Sequence, residues 1–162
     1  MGAKQKSKKE NKQKMENTRI NIGNCGEYFV AAELERRGFT VAVPMSNTPS
    51  FDILAIKNDD HNKQYAIQVK TTKGNKTNWA LSAKSEYIFG NNIYYIFVVL
   101  NDIEQPDYYI VPSEVVANTV TEGHKNWLNT PGRHGQPHVE NSIRKFALPK
   151  DSEYKNAWEI IL

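Results

Sequence analysis

The chain has 162 residues, 39% apolar and 10% aromatic, with a formal net charge of +3, one cysteine and a mean hydropathy of −0.65. That length suits one domain with a core of its own, and the lack of a long uninterrupted apolar run excludes a membrane-spanning helix. A lone Cys25 excludes an internal disulfide and a cysteine-based zinc site, and a lysine-rich start without the apolar stretch of a secretory signal points to a reducing cytoplasm.

Residues 1–17 carry six lysines (Lys4, Lys6, Lys8, Lys9, Lys12 and Lys14) against Glu10 and Glu16, a net of +4 that leaves the remainder at −1. The segment has almost no apolar side chain to bury, so it is expected to be a disordered basic tail, either solubilising or a loose, salt-dependent binder of phosphates. Residues 18–162 are expected to form a single domain, with an extension from about 123.

A helical pattern covers 18–37 and ends at Arg36, Arg37 and Gly38, cations in the last turn followed by a residue suited to the left-handed cap. Residues 39–43 read as a strand stopped by Pro44, 45–50 as a polar loop, and 51–57 as a second strand. A turn at 58–63 leads to a third strand at 64–70, and the short connection predicts an antiparallel hairpin. Residues 71–78 read as a polar loop, and 79–89 is ambiguous, with a helix favoured at 84–89 before Gly90. The apolar run 93–100 reads as a buried strand, 108–111 as a shorter one, and 113–122 as a helix capped by Ser113. A loop rich in Gly, Pro and cations spans 129–138, and 158–162 is a closing apolar strand or helix end.

Glu27 lies in the middle of a helix face formed by Gly23, Val30, Ala31 and Leu34, whereas Glu33, Glu35, Arg36 and Arg37 fall on other parts of the wheel, where water is expected to hydrate them. A carboxylate aimed at the core needs a partner, and two fit: a lysine or a metal ion. Asp52 opens an otherwise apolar strand, against strand propensity. On the next strand, the period of two sends Tyr65, Ile67 and Val69 to one face and Gln68 and Lys70 to the other.

A helix bearing Glu27, a strand, a strand opening with Phe51-Asp52 and a strand ending in Gln68-Val69-Lys70 resemble the PD-(D/E)XK nuclease superfamily over about residues 20–70. Phe51 stands where the motif's name has proline, and Gln68 where it has an acid, a Gln-X-Lys variant. The resemblance implies an α/β, restriction-endonuclease-like core: a mixed β-sheet of about five strands flanked by helices. It implies a metal-dependent endonuclease using Mg²⁺ or Mn²⁺ on duplex or branched DNA, with Glu27, Asp52, Gln68 and Lys70 catalytic. The metal would rest on Asp52, the Gln68 carbonyl oxygen, the Val69 backbone carbonyl and Glu27, because Mg²⁺ takes hard oxygen ligands. Many nucleases of this fold work as dimers, so a homodimer is implied as well. The alternative is a catalytically silent, nuclease-like DNA-binding or regulatory module in which Gln68 marks lost chemistry.

Cations and hydroxyls placed to meet nucleic-acid phosphates are Thr71, Thr72, Lys73 and Lys76 after Lys70, and Arg133, His134, Arg144 and Lys145 further on, with Lys125 and Trp127 nearby. His124, His134 and His138 lack structural-zinc spacing. Phe89, Tyr94, Tyr95, Phe97, Tyr108 and Tyr109 alternate with Ile and Val rather than with cations, and are expected in the core rather than in a base-stacking platform.

Overall fold

Gly38, at φ +80°, turns the chain out of the first helix and into the first strand, at the boundary expected from Arg36, Arg37 and Gly38. The computed structural model describes residues 2–44 and 51–162, with side chains from Thr18 onward, so the loop expected at 45–50 lies outside the described residues. Helix α1 spans Gly2–Arg36. It starts well before residue 18, where the sequence reading begins it, and carries helix through the segment expected to be disordered. Lys, Glu and Gln are good helix formers, and adding turns to an existing helix needs no new nucleus.

Strands β1 (Phe39–Ala42), β2 (Ile53–Lys57) and β3 (Gln64–Lys73) form an antiparallel meander, the pairing of β2 with β3 being the hairpin that the short turn predicts. Strand β3 continues to Lys73, so Thr71, Thr72 and Lys73 belong to a strand rather than to the expected loop. Strand β4 (Asn78–Ser82) and a 3₁₀ turn (Ala83–Glu86) replace the helix favoured at 84–89. Strand β5 (Ile93–Leu100) then pairs with β3 in parallel, and β6 (Asp107–Pro112) pairs with β5 antiparallel. The main sheet therefore has the order β1-β2-β3-β5-β6, a mixed five-stranded sheet flanked by helices as expected.

Helix α2 (Ser113–Asn129) runs past the expected end at 122. Ser113 does not cap it: its hydroxyl is buried, accepts from the Gly90 N–H (3.1 Å) and donates to the Gly90 carbonyl (3.3 Å). Strand β7 (Ile143–Ala147), absent from the sequence reading, pairs antiparallel with β4 to make a second, two-stranded sheet. Residues 158–160 form a second 3₁₀ turn.

The main sheet carries a core on each face. On one, Val30 and Leu34 of α1 and Trp158 and Ile161 of the chain end cover Ile53, Ile67, Val69, Ile96 and Ile110. On the other, Val116 and Val120 of α2 with Trp79, Leu81 and Phe146 of the small sheet cover Tyr95, Phe97, Val99 and Tyr109. Each fully buried side chain of this size contributes about 1.5–3 kcal/mol, so both faces are strongly held. Tyr95, Phe97, Tyr108 and Tyr109 are core residues as expected, while Phe89 is exposed. Among the described residues no helix is long and apolar enough to cross a membrane.

Candidate active site

The site lies where β2 runs out beside β3. The Asp52 N–H donates to the Ile67 carbonyl at 2.8 Å, which fixes the residue just ahead of β2 and opposite Gln68. Alternation along β3 then turns the Val69 N–H towards a place where β2 has no further strand residue to accept it. The Asp52 carboxylate takes that role: its Oδ2 accepts from the Val69 N–H at 2.7 Å and from the Gln68 side-chain amide. The Lys70 Nζ stands 3.9 Å from the same oxygen. The Val69 carbonyl leaves the strand on the side of its own N–H, towards Asp52.

Helix α1 brings the fourth group. It crosses β3 at Gly26, where a Cβ would come within 1.9 Å of the Thr71 Oγ1. No other residue type fits there without movement, and that approach delivers the next residue, Glu27, to Asp52 and Lys70. Burial pushes the Glu27 carboxyl above the ordinary carboxylate range; the Asp52 charge raises it further, and Lys70 lowers it. Among the described residues no cation stands within 4 Å of it. The lysine partner that the sequence left open is thus not an ion pair here.

Glu33 reverses its expectation. It is the buried acid of α1, at 9% exposure, and it is paired with Arg36 at 2.6 Å and with Arg37.

Glu27, Asp52, Gln68 and Lys70 are therefore brought together. Among the described residues no group of three or more His, Cys, Asp or Glu side chains is placed to hold a metal. The donors here are instead two carboxylates, a side-chain amide oxygen and a backbone carbonyl, all hard oxygens of the kind Mg²⁺ and Mn²⁺ prefer. This hard-oxygen donor set fits such an ion in its chemistry, with Lys70 beside Asp52 as a fixed positive charge.

The outlying candidates divide. Thr72 is half-buried on β3, Lys73 meets Asp102 at 3.5 Å, and Lys76 is exposed. The Thr71 hydroxyl is buried against Gly26 with no hydrogen-bond partner, so it does not face a phosphate. Arg133 and His134 are exposed in the loop after α2, and Lys145 is exposed on β7. Arg144 corrects the expectation of a surface cation: it is 5% exposed, bonded to Glu86, to Glu140 at 3.2 Å and to the Asn141 carbonyl at 2.7 Å. Gly26 is the residue that sequence reasoning missed. Its signal was a glycine inside a helix, which costs about 1 kcal/mol and asks for a packing reason.

Asp52 just ahead of β2, Gln68 and Lys70 within β3 and a helix-borne Glu27 side by side give an α/β domain with a carboxylate cluster where β2 runs out. The sequence matches the family described as Protein NO VEIN, C-terminal, over residues 25–111, more than half of the chain, and the protein belongs to that family. The fold is similar to that of a bacterial homing endonuclease, I-Ssp6803I, at 14% identity, covering 87% of this chain and 88% of that one with a TM-score of 0.49. It is also similar to Hjc, a Holliday junction resolvase of the archaeal hyperthermophile Archaeoglobus fulgidus. There the identity is 18%, the coverage 77% of this chain and 83% of that one, and the TM-score 0.44. No curated protein matches the sequence.

Proposed function

We propose that this domain is a metal-dependent endonuclease that hydrolyses DNA phosphodiester bonds, working through Glu27, Asp52, Gln68 and Lys70. The observation that carries this reading is the meeting of Glu27 with Asp52 beside Lys70, two acids that share a single neighbouring ammonium. Asp52, Glu27, the Val69 carbonyl and the Gln68 amide oxygen are the groups that would hold Mg²⁺ or Mn²⁺. Such an ion neutralises phosphoryl charge and lowers the pKa of an attacking water.

The chain's own residues do the rest. Asp52 is held rigid by two N–H donors on one oxygen, which leaves the other free to bind. Lys70 sets a positive charge where negative charge develops on the phosphoryl oxygens, and it orients the incoming water. Thr72, Lys76, Arg133, His134 and Lys145, with Lys73 once it leaves Asp102, are the groups that would meet backbone phosphates, and phosphate contacts of this kind position a duplex without reading its sequence. Thr71 and Arg144 serve packing instead.

One observation favours a second reading. The Gln68 amide bonded to Asp52 satisfies the pair without metal, as a silent DNA-binding or regulatory module would require. A cleavage assay on plasmid and branched DNA with Mg²⁺ or Mn²⁺ separates the two. The hydrolase reading expects cleavage that falls by about 10²-fold or more in both Asp52→Ala and Lys70→Ala. Equal rates in the wild type and both variants sink the site assignment, and metal-independent duplex binding with no cleavage under any divalent ion establishes the silent module.

A further inference from the structure

A second site lies on the far side of α2 from its buried stripe's start. Val116, Ala117 and Val120 are buried in the core, and the same helical stripe continues through Gly123, His124 and Trp127 beyond the edge of the sheet. There a cavity of about 280 Å³ is lined by Gly123, His124, Trp127, Asn141, Ile143 and Lys145. Gly123 opens it: a Cβ at that position meets nothing within 4 Å.

The walls are fixed in advance. His138, from the following loop, stacks on the Trp127 ring with centroids 4.1 Å apart and an interplanar angle of 21°, and it is not part of the lining, so it braces the indole from behind. His124 lies 5.3 Å from the same ring and is tied through Nε2 to Glu140 at 2.8 Å, which in turn meets the buried Arg144. The lining offers donors more than acceptors. The Asn141 carbonyl oxygen is taken by the Ile143 N–H at 2.9 Å, while its amide N–H groups and the Lys145 ammonium have no partner among the described residues. An aromatic surface ringed by free donors and one cation suits a flat ligand rich in acceptor atoms and attached to an anion.

We propose that the Trp127 cavity receives an unpaired nucleobase of a DNA strand, with the base against Trp127 and Lys145 on the adjoining phosphate. This rests on the nucleic-acid reading above and narrows it to substrates with a base outside the helical stack, such as branches, bulges and ends.

The test uses the full chain in EDTA, where cleavage plays no part. Binding is measured by anisotropy and indole fluorescence for a duplex with one unpaired thymine and for the same duplex with an abasic residue in its place. The base-bearing duplex is expected to bind about tenfold more tightly, the value of one stacked base. The preference should vanish in Trp127→Ala and in Gly123→Leu, which fills the cavity from the helix without removing any contact, and Trp127→Phe should keep most of it. Equal binding of the two duplexes by the wild type, or a preference that survives Gly123→Leu, overturns the proposal while leaving DNA binding in place. Failure to bind either duplex overturns the nucleic-acid reading together with this one. Thymidine monophosphate binding as tightly as the bulged duplex overturns the assignment to a strand.

Discussion

Glu27 and Glu33 stand six residues apart on α1, the first half-buried and the second buried, and the two carboxylates keep different company. Glu33 closes an ion-pair cluster at the end of the helix: Arg36 and Arg37 bond its two oxygens, and the Arg37 guanidinium lies 4.2 Å over the Trp158 ring. The neighbouring Tyr108 hydroxyl, pushed up to about 12 by burial and then by the Glu33 charge, adds no further donor to it. Glu27 has no such cluster, and its charged neighbours are a second acid, Asp52, and Lys70. A buried acid that is fully paired holds structure together, whereas one placed beside another acid with a single shared lysine is disfavoured in its charged form. That difference is why Glu27 belongs to the proposed site and Glu33 to the architecture.

Five substitutions test that contrast, from the largest effect to the smallest. Asp52→Ala should cost about 10²-fold or more in cleavage, while Glu33→Ala should leave the cleavage rate unchanged at temperatures where it remains folded. Gly26→Ala comes next. The new methyl group meets Thr71, so urea denaturation should show a loss of about 1–3 kcal/mol from overpacking, with cleavage falling as Glu27 is displaced. Adding Thr71→Ala should recover part of both, because the two residues touch. An unchanged midpoint in Gly26→Ala would mean that α1 does not lie this close to β3.

For Glu33→Ala itself, the loss of a partner for Arg37 should cost about 1–3 kcal/mol, less than a fully buried pair because Arg36 is largely exposed. The smallest effect belongs to Glu27→Gln. A carboxyl raised in the folded state favours folding relative to the unfolded chain only while it stays protonated, and that advantage is lost as pH rises through the folded value. Glu27→Gln should therefore have a higher Tm than wild type at neutral pH, and the two should converge below the ordinary value of 4.5. Mg²⁺ should raise the Tm of the wild type and not that of Glu27→Gln, since a ligand stabilises only a state that binds it.

Parts of this site were legible before any coordinates. Asp52, Gln68 and Lys70 stand on a hairpin with a short turn, and the alternation of strand residues is local enough to place them on their strands. Arg144 shows where such reading stops. In Ile143-Arg144-Lys145-Phe146-Ala147 the inward positions belong to an arginine and a phenylalanine, so the apolar alternation that announces a strand is broken by the very residue that is buried. Its partner Glu86 lies 58 residues away, and nothing near either residue in sequence shows that they meet.

The sequence by itself determined the antiparallel meander, the buried run that became β5, and the strand bearing Gln68 and Lys70, because periodicity and turn chemistry act over a few residues. Only the tertiary structure decided which glutamate of α1 is paired and which is open, that Gly26 lets the helix reach β3, that Arg144 is internal, and that Gly123 and Trp127 border a cavity. Those outcomes depend on which distant segments touch. Burial and pairing are properties of the contact, not of the residue.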